Sequence, residues 1–235
     1  MSYDAEQTKA VMPPKNIEEA FSENLHSWDS ISNLHAQGSG ASFYRIDEFL
    51  NGECKLGPWE IDELGEVTGK ELLHLQCHIG TDTLSWARRG AIVTGLDFSP
   101  KAIIEAKRFA DILDIDDAKF VVSSVKDAVA NLGNKKFDII YTGRGAICWL
   151  PDLDEWASVC STLIKPEGVL YFEETHPTLD LLDLVETKEG KFLSPQYNPF
   201  SKQPVSFEGQ GSYADRNAAT EITRCHCWDH GFGEI

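Results

Sequence analysis

The stretch Leu72-Leu73-His74-Leu75-Gln76-Cys77-His78-Ile79-Gly80 is followed, seventeen residues beyond Gly80, by Asp97 at the end of Ile92-Val93-Thr94-Gly95-Leu96-Asp97. This pattern predicts a buried strand, a tight turn that opens a helix, and a second strand that ends in a carboxylate. Such an order is typical of a βαβ unit that handles nucleotides, because the turn approaches the ligand and the acid accepts hydrogen bonds from ribose hydroxyls. The sequence therefore indicates a ligand that contains a ribose.

The turn of this unit departs from the glycine pattern of dinucleotide-binding folds. Gln76 and His78 stand where those folds place glycines that let the backbone approach a pyrophosphate. A nicotinamide-dependent oxidoreductase is therefore disfavoured, because nothing remains at the turn to cradle a pyrophosphate. A cofactor with a ribose and no phosphate would tolerate both side chains, and S-adenosylmethionine is the common one.

The chain around this turn resembles the class I S-adenosylmethionine-dependent methyltransferases. It is most similar to the small-molecule type whose first motif reads Leu-His-Leu-Gln-Cys-His, here residues 73–78, in place of Asp-Leu-Gly-Cys-Gly. The resemblance runs from about Asn16 to the last residue. It implies a Rossmann-like fold, S-adenosylmethionine as cofactor, S-adenosylhomocysteine as product, and a small-molecule methyl acceptor.

Length and composition favour one domain. The chain has 235 residues, of which 42% are apolar, enough to bury a full core. Residues 1–15 are expected to form a flexible tail, since they lack the pattern of a signal peptide. Residues 16–235 are expected to form a single methyltransferase-like domain with an N-terminal helical cap at 16–68. No stretch is long and apolar enough to suggest a membrane span, so a cytoplasmic location is expected.

The charge balance disfavours nucleic acid as a partner. Thirty-eight acidic residues against twenty-one basic ones give a formal charge of −17, which repels polyanions. The cysteines lie mostly in apolar surroundings without a regular framework, so reduced buried thiols are expected. They are Cys54, Cys77, Cys148, Cys160, Cys225 and Cys227.

From residue 69 onward, strand and helix patterns alternate as in a parallel sheet covered by helices. We therefore expect an α/β fold with a three-layer, doubly wound, mostly parallel sheet and strand order 3-2-1-4-5-6. A helix over 16–35 precedes this core. The six expected strands are Glu71–Leu75, Ala91–Leu96, Lys119–Val122, Phe137–Tyr141, Gly168–Phe172 and Thr220–Trp228. The expected core helices are Thr81–Arg89, Ser99–Ala110 and Leu153–Leu163.

The last third of the sequence loses this rhythm. Residues 177–214 mix short apolar runs with Gly, Pro and Ser, which predicts an excursion over the carboxyl ends of the strands. The resemblance implies that a further helix and a C-terminal strand would normally follow strand six, so that closing strand is expected to be missing. An uncovered strand six, with Trp228 and Phe232 poorly buried, would favour either a homodimer near residues 220–235 or a tail held by the excursion.

The cofactor-binding candidates cluster at the carboxyl ends of the expected strands. By the resemblance, the first turn would face the methionine portion of the cofactor, and Asp97 would hold the ribose. Ser99 can cap the following helix, so Asp97 is not needed for that role. The complete set is Gln76, Cys77, His78, Gly80, Asp97, Phe98, Ser124, Val125, Thr142 and Gly143.

The acceptor-binding candidates are Tyr44, Arg144, Trp149 and Glu174, with His176 as a candidate catalytic residue. Arg144 could bind a carboxylate in a two-pronged contact or could be a surface arginine. His176 could take a proton from a nucleophile, or His176-Pro177 could simply form a turn. Methyl transfer can also proceed by proximity and in-line orientation alone.

Two features of the sequence allow other interpretations. The Cys225-His226-Cys227 segment superficially suggests zinc, but alternate residues of a strand face opposite sides, so the three side chains would not converge and no metal is expected. The altered glycine turn and the expected missing element leave open a non-catalytic binding module with a methyltransferase-like fold.

Overall fold

A computed structural model describes residues 8–133, 135–177, 182–188, 190–195, 198 and 201–235. The helices are α1 (Ile17–Ala36), α2 (Ile46–Leu50), α3 (Pro58–Leu64), α4 (Thr81–Arg88), α5 (Pro100–Ile112), α6 (Ala128–Leu132) and α7 (Leu153–Leu163). The strands are β1 (Thr8–Ala10), β2 (Glu71–Leu75), β3 (Ile92–Asp97), β4 (Lys119–Val122), β5 (Phe137–Gly143), β6 (Ile164–Glu173), β7 (Leu182–Thr187), β8 (Gly190–Pro195), β9 (Val205–Gly209) and β10 (Thr223–Cys227).

A five-stranded parallel sheet forms the centre, in the order β4-β3-β2-β5-β6. Its middle strands are almost continuously buried because helices cover both faces, which is the environment that a parallel sheet requires. The chain runs outward from β2 to β4 and then returns to add β5 on the other side of β2. This reversal leaves a crevice at the carboxyl ends of β2 and β5. The expected fold class and the order of the first five strands are confirmed.

The core has two sides because successive residues of a strand face opposite ways. Leu73 and Leu75 of β2 pack with residues of α6 and α7 on one face. Leu72 of the same strand packs with Trp86 of α4 on the other face. Phe109 of α5 belongs to a further buried cluster with α2 and α4. The three layers predicted from the sequence therefore follow from the alternation of apolar residues in β2.

The helices begin where the capping residues predict. The Asn16 side chain accepts a hydrogen bond from Glu19 N, and that of Ser99 accepts one from Ala102 N. Ser99 thus caps α5, which leaves Asp97 available for another role.

The predicted sixth strand does not join the central sheet. Instead, β10 pairs with β9, which also pairs with β1, in a separate three-stranded antiparallel sheet that packs on α1. A central strand of a parallel sheet is nearly all apolar, whereas Arg224 and His226 interrupt this strand, and His226 is buried only with polar partners. The position assigned to strand six was therefore wrong.

The ends of the chain also differ from expectation. Thr8–Ala10 form β1, although residues 1–15 were expected to be a flexible tail, and residues 1–7 lie outside the described part. Trp228, expected to be poorly covered, is buried, while Phe232 is exposed. The homodimer remains a prediction.

The excursion contains the hairpin β7–β8, and its residues 178–181, 189, 196–197 and 199–200 lie outside the described part. Among the helices that the structure describes, none combines the length and the apolar character needed to cross a membrane.

Candidate active site

A cavity of about 550 Å³ lies at the carboxyl ends of β2, β3 and β5, where the strand order reverses. Its size is within the range of small-molecule sites. Helix α1, the β2–α4 turn and the loop after β5 all contribute to its wall. The lining residues are Phe21, Trp28, Phe43, Tyr44, Glu53, Cys54, Lys55, His74, Gln76, Cys77, His78, Ile79, Thr81, Asp82, Asp97, Phe98, Ser123, Ser124, Val125, Gly143, Arg144, Gly145, Ala146, Trp149, Leu150 and Tyr213.

The β2–α4 turn keeps a glycine-like backbone without the glycines. Gln76 and His78 have φ angles of 56° and 49°, in the left-handed region that glycine tolerates best. Gly80 has φ 77°, and a Cβ atom there would lie 2.8 Å from Ala106 Cβ. Each non-glycine residue in this conformation costs about 1–2 kcal/mol. The turn therefore has the usual shape and presents two side chains that a glycine motif lacks.

Asp97 lies at the end of β3 and lines the cavity. One carboxylate oxygen accepts a hydrogen bond from His78 N at 2.8 Å, and the other accepts one from Ser99 N at 2.9 Å. Burial raises the pKa of Asp97 to about 6, although the two backbone N–H groups favour the charged form. A carboxylate oxygen has two lone pairs, so both oxygens can still accept a further donor from a ligand.

Gln76 joins the turn to the loop after β5, because its Nε2 donates to the Ala146 carbonyl oxygen at 2.9 Å. The Oε1 atom of the same side chain is buried and has no hydrogen-bond partner among the described residues. A buried carbonyl oxygen without a donor is costly. The site therefore offers this atom to a hydrogen-bond donor on a ligand.

The opposite end of the cavity is charged. Glu60 is fully buried beneath it and accepts hydrogen bonds from Tyr141 Oη and from the Arg144 guanidinium. Arg144 also donates to the Lys55 carbonyl oxygen at 2.9 Å, and its Nη1 lies 3.9 Å from Asp82 Oδ2. Arg144 thus lines the cavity, as predicted for an acceptor-binding residue, while its guanidinium neutralises a buried carboxylate.

Aromatic rings and histidines form the wall near α1. Trp28 lies edge-on to His78 and to Trp149, each with ring centroids 5.2 Å apart. Tyr44 and Tyr213 are joined through their hydroxyl groups. Tyr44, an acceptor-binding candidate from the sequence, lines the cavity.

Four of the sequence-predicted site residues are not among the lining residues. Gly80 packs behind the turn, and Thr142 is buried in β5. Glu174 accepts hydrogen bonds from Ile147 N and Thr175 N, both at 2.8 Å, and so shapes the loop after β5. The ring of His176 lies against the Phe232 ring, 4.9 Å between centroids, and His176 is exposed and does not line the cavity. The other predicted residues line the cavity, and their binding roles stay predictions.

Sequence reasoning missed several parts of this site. Trp28 and Phe21 lie on the predicted helix over 16–35, and the structure places both on the cavity wall. Asp82 and Tyr213 follow no motif that could have identified them. Glu60 became visible as a buried partner only once Tyr141 and Arg144, more than eighty residues away in the sequence, were placed beside it.

The known proteins that this chain resembles in sequence are methyltransferases. A family model described as a methyltransferase domain matches residues 73–170. The chain is 31% identical over 126 residues to the ubiquinone biosynthesis O-methyltransferase of Pasteurella multocida (strain Pm70), covering 51% of this chain and 52% of that protein. It is 31% identical over 148 residues to the protein of the same name from Actinobacillus pleuropneumoniae serotype 5b (strain L20), covering 57% and 62%. The chain thus spans only about half to three fifths of these curated relatives.

Two solved structures share the fold. An S-adenosylmethionine dependent methyltransferase from Mesorhizobium loti superposes with a TM-score of 0.51 at 20% identity, covering 63% of this chain and 66% of that one. Phosphoethanolamine N-methyltransferase 1 of Haemonchus contortus gives 0.52 at 15% identity, covering 68% and 33%. The matched residues 73–170 run from β2 into β6 and include the carboxyl ends of β2, β3 and β5, where the cavity lies. Residues 73–170 thus match a methyltransferase domain, and the chain is similar in sequence and fold to S-adenosylmethionine-dependent methyltransferases.

Proposed function

We propose that the chain binds S-adenosylmethionine in this cavity and transfers its methyl group to a small-molecule acceptor. The observation that carries the proposal is the Asp97 carboxylate, which lies inside the cavity at the end of β3, beside the reversal in strand order. A carboxylate in that position can accept hydrogen bonds from two ribose hydroxyls.

The remaining lining residues fit the other parts of such a cofactor. Gln76 Oε1 can accept a hydrogen bond from an ammonium group and so satisfy its own buried lone pairs. Ser124 and Val125 follow β4 and can border an adenine ring. Gln76 and His78 adopt the backbone conformation of glycine but carry side chains, which take up the space where a pyrophosphate would approach the turn. This arrangement favours S-adenosylmethionine over a nicotinamide dinucleotide.

When bound, the cofactor supplies an electrophilic methyl group on a sulfonium. The contribution of the chain is to orient the acceptor and to exclude water, since in-line displacement depends strongly on position. Trp28, Trp149 and Tyr213 provide an apolar wall for this purpose. Their rings favour an acceptor with a flat or apolar body. The names of the curated relatives describe O-methyltransferases, and an oxygen acceptor is the corresponding proposal for this chain.

Some broader expectations remain proposals. The formal charge of −17 argues against a nucleic-acid acceptor. The six cysteines form no disulfide within the described part of the chain, which fits a reducing compartment such as the cytoplasm. A non-catalytic binding module would hold the cofactor without turning it over, and the methyltransferase relatives make catalysis the better proposal.

Calorimetry with S-adenosylhomocysteine, S-adenosylmethionine and NAD tests the proposal. We expect the first two to bind and NAD not to bind. Asp97→Ala should weaken S-adenosylhomocysteine binding by about 1.5–3 kcal/mol, because two hydroxyl groups lose a charged acceptor. Asp114→Ala, at an exposed turn after α5, is the matched control and should leave the affinity unchanged. Equal affinity in Asp97→Ala and wild type would contradict the assignment.

A further inference from the structure

Three side chains form a hydrogen-bonded row that ends at the cavity. Ser212 Oγ lies 2.5 Å from His35 Nε2, and His35 Nδ1 lies 2.8 Å from His78 Nε2. His35 is fully buried, and His78 lines the cavity. Within the described part of the chain, His78 Nδ1 has no protein partner. The row therefore connects the loop after β9 to a ring nitrogen at the cavity wall.

The direction of the hydrogen bonds in this row follows from the serine. Among the described residues, the Ser212 hydroxyl contacts two polar groups, Ala214 N at 3.1 Å and His35 Nε2. Ala214 N can only donate, so the hydroxyl accepts from it. Among the described residues, His35 Nε2 is then the one acceptor within reach of the hydroxyl proton, so the hydroxyl donates to His35 Nε2. His35 Nε2 then accepts, which places the ring proton of neutral His35 on Nδ1, where it points at His78 Nε2.

The same reasoning identifies the protonated ring nitrogen of His78. Its Nε2 accepts from His35, so a neutral His78 carries its proton on Nδ1. Both rings are neutral near pH 7, because burial lowers the pKa of His35 to about 3 and, together with the neighbouring His35, lowers that of His78 well below its usual range. The nitrogen that His78 presents to the cavity is therefore a hydrogen-bond donor.

We infer that Ser212 and His35 hold His78 as a hydrogen-bond donor, through Nδ1–H, to a carboxylate oxygen of the ligand in this cavity. Ser212 and His35 act as positioning residues, and His78 is the residue that touches the ligand. The carboxylate has two possible sources, the amino-acid part of the cofactor or an acidic acceptor. The choice between these sources rests on the proposed function, whereas the direction of the hydrogen bonds does not.

The backbone at His78 permits an unusually clean variant. His78 has a φ of 49°, so glycine can replace it without backbone strain, which offsets part of the cost of leaving His35 Nδ1 without its acceptor. Asp114→Gly is the matched control, because Asp114 has a φ of 52° on an exposed turn away from the cavity. Both variants gain the same backbone freedom, and His78→Gly alone loses the donor, together with the contacts of its ring to Trp28 and His35.

Binding measurements identify the source of the carboxylate. If it belongs to the cofactor, His78→Gly should weaken S-adenosylhomocysteine about tenfold or more, and should not weaken 5′-methylthioadenosine, which lacks the carboxylate. If it belongs to the acceptor, the same variant should weaken 4-hydroxybenzoate and not phenol on the protein saturated with S-adenosylhomocysteine. Affinities for both carboxylates that match those of Asp114→Gly would overturn the inference.

Long-range ¹H–¹⁵N NMR on the full chain with labelled histidines tests the row itself. We expect protonated Nδ1 and unprotonated Nε2 for both His35 and His78. Ser212→Ala should shift this tautomer balance, and Ser212→Thr, which keeps the hydroxyl, should restore it. A proton on His78 Nε2 in the wild type would refute the assignment. If the wild type does not bind S-adenosylhomocysteine, the proposed function fails, and the NMR result still decides the direction of the row.

Discussion

The two main sheets of this molecule are held by different interactions. The central sheet buries apolar side chains completely on both faces, such as Leu73 on one face and Leu72 on the other. In the three-stranded sheet, His226 Nδ1 lies 2.9 Å from Ser206 Oγ of the neighbouring strand, and His226 Nε2 lies 2.6 Å from Glu23 Oε2 of α1, a polar contact that anchors the sheet to this helix. Apolar burial tolerates small shifts, whereas hydrogen bonds require particular partners. We therefore expect damage to the first sheet to be global and damage to the second to be local.

The largest effect should come from the central core. Leu73→Ala removes a fully buried side chain between the sheet and α7, and should lower the free energy of unfolding by about 2–5 kcal/mol. Leu193→Ala makes the same change at a position that is 64% exposed in β8, and should cost less than about 0.5 kcal/mol. Urea denaturation of both variants measures the difference. Similar losses would show that the central sheet is not the stability core.

The pH dependence of stability should come from carboxyl groups at the edge of the same sheet. Burial raises the pKa of Asp97 and that of Asp82 from 3.8 to about 6. The folded state then binds these protons more tightly than the unfolded state. The contribution of each group to the free energy of unfolding is therefore present below about pH 4. It is lost as the pH rises through 6, by up to roughly 3 kcal/mol per group.

Unfolding free energies measured between pH 4 and pH 7 test this dependence. The side chain introduced by Asp97→Asn cannot ionise, so this variant should lose about half of the wild-type decline in unfolding free energy with rising pH. Asp138→Asn is a control of opposite sign, because the hydrogen bond from Lys165 and the one from Glu71 N lower the pKa of Asp138. It should leave the decline between pH 4 and pH 6 intact. A flat wild-type profile over this range would be inconsistent with the burial of Asp97.

A buried ion pair beneath the cavity should contribute to stability on the scale of an apolar core residue. Arg144→Met leaves the Glu60 carboxylate buried with Tyr141 but without its cation. We expect a loss of about 2–3 kcal/mol, below the roughly 3–5 kcal/mol of a fully buried pair, because Arg144 is partly exposed. Arg45→Met breaks exposed contacts to Glu48 and Glu53 and should cost at most about 1 kcal/mol. Equal losses in thermal denaturation would mean that solvent reaches Glu60.

Most of the central sheet could be predicted from the sequence because its signals are local. Runs of apolar residues predicted β2 to β6, and Asn16 and Ser99 predicted the starts of α1 and α5. The position of β10 could not be predicted in this way. A strand with an alternating pattern could join either sheet. Its position is determined by the contact between His226 and Glu23, which lie 203 residues apart in the sequence.

The candidate site likewise contains some residues that local sequence signals predict and others that only tertiary packing brings there. Gln76, His78 and Asp97 lie within one βαβ unit, so their spacing in the sequence already places them together. Tyr213 and Trp28 reach the cavity only through the packing of the small sheet on α1. His176 was assigned from its place after β6, but it is exposed and does not line the cavity, which strand spacing does not encode.

The smallest effect should come from the polar anchor of the second sheet. His226→Leu keeps the bulk of the side chain but removes the partners of Ser206 and Glu23. Glu23 is partly exposed and can regain water, so the loss in unfolding free energy should be only about 1–2 kcal/mol. His26→Leu, at an exposed position of α1 paired with Glu221, is the control and should change stability by less than about 0.5 kcal/mol.

Hydrogen exchange separates a local effect from a global one. In His226→Leu, the amides of β9 and β10 should exchange faster while those of β2 and β5 keep their protection, because apolar burial still holds the central sheet. Tyr213 lies in the loop between β9 and β10, so the cavity wall should loosen together with these strands. Faster exchange in both sheets would show that they unfold as one unit, and the contrast between apolar and polar anchoring would then not divide the molecule.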